Sequence, residues 1–349
     1  MNGLQKRIRT FAWISLVFVY LVITAGSIVR MTGSGMGCPD WPKCFGYTIP
    51  PTSVDQVTWT PERDFEKGQM IVHEWEGEER MLVAIGDFKT DAEFNTDNWK
   101  LYEKHDYSIF NPTHTWIEFI NRLIGALTGV PVLILFVLSL VQGIRKKQWV
   151  NFLLAAGVLF MLGFEAWLGK LVVDGNLIPG SITIHMFGSM VLVLLLLLII
   201  RRKGGHRVSL SPAGKWLLLG AFALTLLQIL LGTQVREEID IIAKSGLDRE
   251  FWVSELPNIF LIHRSFSWVV LILTLGWLWI SWKAGVKMRE MLLAFLLLDL
   301  QIIAGVVLSY AGMPAFLQPV HLVGGILLFG VLWSAFLKLG KQKEISRSA

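Results

Sequence analysis

The chain has 349 residues, is 53% hydrophobic and only 17% charged, and has a mean hydropathy of +0.54. A water-soluble globular domain cannot hide so much apolar surface, and a disordered chain would not carry it. The net charge of +5 comes from basic groups scattered along the sequence, which excludes a nucleic-acid footprint.

Eight apolar runs are long enough to cross about 30 Å of hydrocarbon as helices. They fall at roughly 10–31, 115–141, 150–171, 181–200, 213–234, 258–282, 289–310 and 317–339, and they predict an all-α polytopic membrane protein. Lys6, Arg7 and Arg9, Arg145-Lys146-Lys147, Arg201-Arg202-Lys203, Lys283, Lys287 and Arg289, and the C-terminal lysines share one side of these spans. The positive-inside rule makes that side cytoplasmic, with both termini there, as expected for a multi-pass protein of the cell (inner) membrane. The first run continues to Arg30 and reads as a retained helix, not a cleaved signal peptide.

Residues 32–114 form an outer segment far longer than an ordinary connection. Within it, Met70–Trp75 and Met81–Ile85 flank Gly77 and predict a β-hairpin. The only cysteines, Cys38 and Cys44, lie in Gly37-Cys38-Pro39-Asp40-Trp41-Pro42-Lys43-Cys44. An external pair favours a disulfide over a thiolate metal site, which would need more ligands nearby. The corresponding second-half loop, about 235–257, is short.

The chain is written twice. Gly26-Ser27-Ile28-Val29-Arg30 returns as Gly232-Thr233-Gln234-Val235-Arg236, and Glu165, Gly169 and His185 return with the same spacings as Gln301, Gly305 and His321. Two pseudo-symmetric four-helix bundles follow, residues 1–200 and 201–349, related by an axis along the membrane normal. The copies disagree where Asn121-Arg122 aligns with His263-Arg264.

That disagreement carries the chemistry. Asn121, His185, His263 and His321 each lie a few residues inside the even-numbered helices. Parallel helices 6 and 8 put His263 and His321 at similar depth, as the axial pair of a b-type heme requires, and ionisable residues within spans are costly and usually functional. The alternative is that each histidine simply bonds a neighbouring helix. If a second porphyrin sits in the first half, His185 is the only strong iron ligand available there, with Asn121 placed to hydrogen-bond a distal ligand or to leave a coordination position open. Glu118, on the Asn121 face and aligned with Phe260, suits proton transfer or charge stabilisation; its alternative is a partner for Arg122 or a helix-start charge near the interface. Arg30, Arg122, Arg236 and Arg264 are candidate partners for propionates, with interfacial snorkelling as the alternative. Glu165, Gln228 and Gln301, each four residues before a glycine, read first as interhelical packing. Asp299 is an intramembrane acid without an assigned partner, and His73, His105 and His206 carry little signal as loop histidines.

Four segments carry a family likeness: Thr24 to Gly35 running into the Cys38–Cys44 loop, Trp116-Ile117-Glu118-Phe119, Ile262-His263-Arg264 and Pro319-Val320-His321. Together they resemble the heme A synthases across all eight helices. The resemblance implies oxidation of a methyl group of heme O to the formyl group of heme A, through an alcohol, for assembly of terminal oxidases. It implies Glu118 as the essential acid, His185 as a substrate-heme ligand, His263 and His321 as ligands of a permanent heme b, and Cys38 and Cys44 as the outer-loop pair. Heme O synthase and a membrane electron donor such as a quinol are the implied partners, in a lipid bilayer, with a homo-oligomer allowed. Asn121 departs from the family's Glu-x-x-His-Arg pattern and leaves the ligand opposite His185 open; a second cysteine pair is also absent. The rival functions are a diheme electron carrier, which would need two equivalent bis-histidine sites, and a non-catalytic heme chaperone or transporter.

Overall fold

The computed structural model describes residues 3–103, 110–174, 180–202 and 207–340. His105, His206, Lys203, Lys341 and Lys343 lie outside the described residues. Among those described, eight helices are long and apolar enough to cross a membrane. They are α1 (Gly3–Thr32), α2 (Pro112–Lys146), α3 (Val150–Asp174), α4 (Ser181–Arg201), α5 (Pro212–Lys244), α6 (Asn258–Lys283), α7 (Arg289–Tyr310) and α8 (Leu317–Leu337). The chain is a multi-pass helical membrane protein, as its composition predicts. Large apolar side chains such as Trp268 and Ile272 on α6 and Phe160 on α3 stay exposed, because hydrocarbon is the solvent for these faces.

One helix runs well past its apolar stretch. The sequence predicts an end for α5 near residue 234, yet the helix continues to Lys244. Arg236 and Asp240 form an i,i+4 ion pair at 2.6 Å on this extension. Val235 and Ile239 bury on its other side against Trp252 and Met313. An amphipathic face and a paired polar one keep the helix going where hydropathy alone would stop it.

The chain forms two compact units. The first comprises residues 1–27, 127–165 and 179–349, and the second residues 28–126 and 166–178.

In the first unit, α5 packs on α6 and α8, and α7 packs on α8 and α6, closing a four-helix ring; α4 lies against α8 and α5. Ile8, Ala12, Leu16, Val19 and Ile23 of α1 bury one stripe in a core shared with α2, α3, α4 and α8. Their spacing of three and four residues is what puts them on one helix face. The α5–α8 ring has an apolar cluster of its own around Leu218, Trp277, Leu298 and Leu332. Buried Glu290 at the start of α7 accepts from Arg201 (2.6 Å), Lys338 (2.7 Å) and Ser334 (3.0 Å), which ties the ends of α4 and α8 to it.

The second unit carries the long insertion. Strands β1 (Asp64–Phe65) and β4 (Phe88–Lys89) pair, and β2 (Met70–Trp75), β3 (Glu78–Ala84) and β5 (Trp99–Leu101) form an antiparallel sheet in the order β2-β3-β5. The predicted hairpin is present: Trp75 pairs with Glu78 across a two-residue turn, Glu76-Gly77, with φ values of 55° and 84°. Positive φ at both central residues is the turn geometry that matches strand twist. His73 lies on β2, not in a loop, with its ring 4.1 Å from that of Phe94.

Candidate functional site

Three clusters gather the residues singled out by the sequence. The first lies in the ring α5–α8, where His263 enters from α6 and His321 from α8. Their imidazoles face each other with centroids 6.3 Å apart and planes at 81°. Each ring is backed by a glycine of a neighbouring helix. A Cβ on Gly232 of α5 would come within 3.1 Å of His263, and one on Gly305 of α7 within 3.4 Å of His321. A side chain at Gly232 would press on the His263 ring, whereas one at Gly305 would meet His321 at about contact distance. Gln228 donates to the carbonyl of His263 (2.9 Å) and lies 3.2 Å from its Nδ1. His321 Nδ1 is buried without a hydrogen-bond partner among the described residues.

The second cluster joins α3 to α4. Glu165 Oε2 lies against Nδ1 of His185, and Ser189 donates to the same oxygen at 3.4 Å. The carboxylate is buried and the imidazole half exposed, with side-chain exposures of 8% and 41%. Glu165 Oε1 lies over Gly188, where a side chain would collide with it. Glu165 and Gln228, read from the sequence as interhelical packing residues, do join neighbouring helices, and what they meet there are histidines of interest. The signal was available, since each recurs at a fixed distance before a glycine, but periodicity does not say which neighbour a side chain meets.

The third cluster belongs to the second unit. Glu118 pairs with Arg122 one turn later and accepts the backbone N–H of Cys38 at 2.8 Å. The Arg122 fork also donates to the carbonyls of Asp40 (2.7 Å), Lys43 (3.1 Å) and Cys38 (3.3 Å). Cys38 and Cys44 are joined by a disulfide. The loop they close is pressed onto the start of α2, since a Cβ at Gly37 would run into the backbone of His114 and Thr115. Asp40 accepts from the backbone of Phe45 (2.7 Å) and Gly46 (2.9 Å). Burial pushes its carboxyl above the ordinary value, and the Gly46 and Phe45 N–H groups and Arg122 pull the other way. Asn121 Oδ1 is buried with no hydrogen-bond partner among the described residues.

The remaining arginines are also placed. Arg30 sits in the last turn of α1. Arg236 donates to Gln318 (2.5 Å) as well as to Asp240. Arg264 is exposed, 5.7 Å from the Phe260 ring.

Fold and clusters together define a polytopic helical membrane protein in which histidines meet polar side chains of neighbouring helices. A family model described as cytochrome oxidase assembly protein (COX15-CtaA) matches residues 9–78 and 70–333. The chain belongs to this family. It is 28% identical over 224 residues to a heme A synthase of Shewanella oneidensis, an alignment spanning 63% of this chain and 54% of that protein. It is 23% identical over 374 residues to a heme A synthase of Rhodopseudomonas palustris, spanning 96% of this chain and 92% of that protein. A heme A synthase of Orientia tsutsugamushi is 25% identical over 155 residues, 44% of this chain and 35% of its own length.

Proposed function

We propose that this protein is a heme A synthase, oxidising a methyl substituent of heme O to the formyl group of heme A in the membrane. The observation that carries the reading is the difference between the two halves. One faces two histidines across a bundle, and the other has asparagine at the equivalent of the first of them.

The second-half pair fits a permanent heme b. Two metal–nitrogen bonds of about 2 Å plus the half-widths of two imidazoles come to about 6 Å, close to the 6.3 Å between the rings of His263 and His321. Glycines behind both rings and a buried Nδ1 on His321 support the same fit. When bound there, the heme supplies one-electron chemistry. The protein's part is to hold both imidazoles against Gly232 and Gly305 and to keep water from the bundle. Arg236 and Arg264 are the candidate propionate partners.

The first half, residues 1–200, is assigned to the substrate heme, and residues 201–349 to the cofactor. His185 is the iron ligand on this assignment, with Arg30 a candidate for a propionate. Asn121 presents a neutral amide where the other half has an imidazole, which leaves a position of the substrate iron open. Glu118 handles protons or developing positive charge. Arg122 contributes by holding Glu118 and the disulfide loop together. The 32–114 segment and its disulfide are placed on the outer side of the cell membrane and the termini in the cytoplasm, in line with the basic residues. Heme O synthase as supplier and a quinol-type electron donor are the partners this reaction calls for.

The test is extraction and chromatography of hemes from a host that makes heme O but lacks heme A, with and without this chain. Heme A or its alcohol precursor is expected only with the chain. Bound heme b with no oxidised product, given adequate heme O and electron supply, would favour an electron carrier or a chaperone.

A further inference from the structure

The pairing of Glu165 with His185 goes beyond the reaction itself. A buried carboxylate inside a membrane helix is costly, and packing alone does not call for one. The second copy of the chain demonstrates this. Glu165 lies over Gly188, and its counterpart Gln301 lies over Gly324 in the same manner, so a neutral amide fills that helix–helix notch equally well. What Gln301 lacks is negative charge, and a carboxylate differs from it in being an acceptor only.

We infer that Glu165 is the positioning residue for His185: it accepts the Nδ1–H, fixes the ring's tautomer and orientation, and turns the Nε2 edge toward the iron of the substrate heme. The inference rests on the substrate-heme reading given above. A carboxylate behind a ligating imidazole also raises the ligand's basicity. The device belongs to the sequence half in which Asn121 stands at the position aligned with His263. In the second half, with His263 and His321 both present, an amide stands at position 301.

The geometry supports the assignment on each count. Glu165 Oε2 touches Nδ1 and Ser189 donates to the same oxygen. Gly188, one turn after His185, is the residue whose missing side chain admits the carboxylate. The acid is buried while the ring stays about half exposed.

The experiment uses the full-length protein in detergent, titrated with hemin as the probe for the first-half site, with heme-specific absorption and EPR spectra as readouts. His185→Ala is expected to lose one hemin equivalent, which assigns that site. Glu165→Gln, which keeps the shape and copies residue 301, is expected to weaken hemin at this site by about 10–100-fold and to alter its EPR signature, with the second-half heme unchanged. If Glu165→Gln binds hemin with unaltered affinity and spectrum while His185→Ala loses an equivalent, the inference fails and the proposed function stands. Full heme retention in His185→Ala would overturn both. Loss of the second-half heme in Glu165→Gln would make Glu165 a packing residue and also overturn the inference.

Discussion

The two halves of the sequence repeat aligned motifs and differ at a few polar positions. In α6, Phe260 and Arg264 stand one turn apart with the guanidinium 5.7 Å from the ring. At the aligned positions of α2, Glu118 and Arg122 form an ion pair that also grips Cys38, Asp40 and Lys43. The same i,i+4 spacing thus gives a surface cation–π contact in one copy and a buried organiser of a disulfide loop in the other. The histidines follow the same logic. His263 has Gln228 beside it, whereas the aligned first-half positions are Asn121 and Val22. His185 has a carboxylate where the His321 helix pair has Gln301. The aligned segments share glycines such as Gly188 and Gly324 and differ in the polar residues near the histidines.

The strongest way to break this comparison is at Glu118. Glu118→Gln keeps an acceptor for Cys38 but removes the charge, and heme A output is expected to fall by about 10²–10⁴-fold, measured by chromatography of extracted hemes. Unchanged output would reduce Glu118 to a loop anchor. Next comes His321→Ala, expected to weaken the second-half heme by more than about 100-fold, beyond the range for losing an outer-shell partner. Heme titration together with His185→Ala reads this out, and equal losses from one shared site would erase the distinction between the halves. Arg122→Ala leaves Glu118 buried without its cation and should cost about 3–5 kcal/mol. Thermal unfolding and protease sensitivity around residues 37–46 would report it, whereas Arg264→Ala, on the exposed counterpart, should have little effect. The smallest effect is expected from Cys38→Ser. The disulfide has a sequence separation of only 6, so opening it should cost about 2 kcal/mol, seen as a lower melting temperature with heme binding retained.

Much of this was legible in the chain itself. Hydropathy located all eight helices because a membrane span must be continuous and apolar to bury its own backbone groups. The repeat exposed the Asn121/His263 difference by simple alignment, and Gly77 between two apolar strands announced the hairpin. The extension of α5 to Lys244 was not legible, because Glu237, Glu238 and Asp240 look like loop residues until Val235 and Ile239 find Trp252 and Met313.

The sequence by itself therefore determined the membrane class and the places of the eight long apolar helices among the described residues, since these depend on composition and spacing along one chain. Only the tertiary structure decided that Glu165 meets His185, that Gln228 meets His263, and that Arg122 spends its donors on the disulfide loop. Those pairings depend on how neighbouring helices and the loop approach one another. That approach is set by small residues such as Gly188, Gly232 and Gly37, whose effect is to let distant parts of the chain come close, and no local pattern records which part arrives.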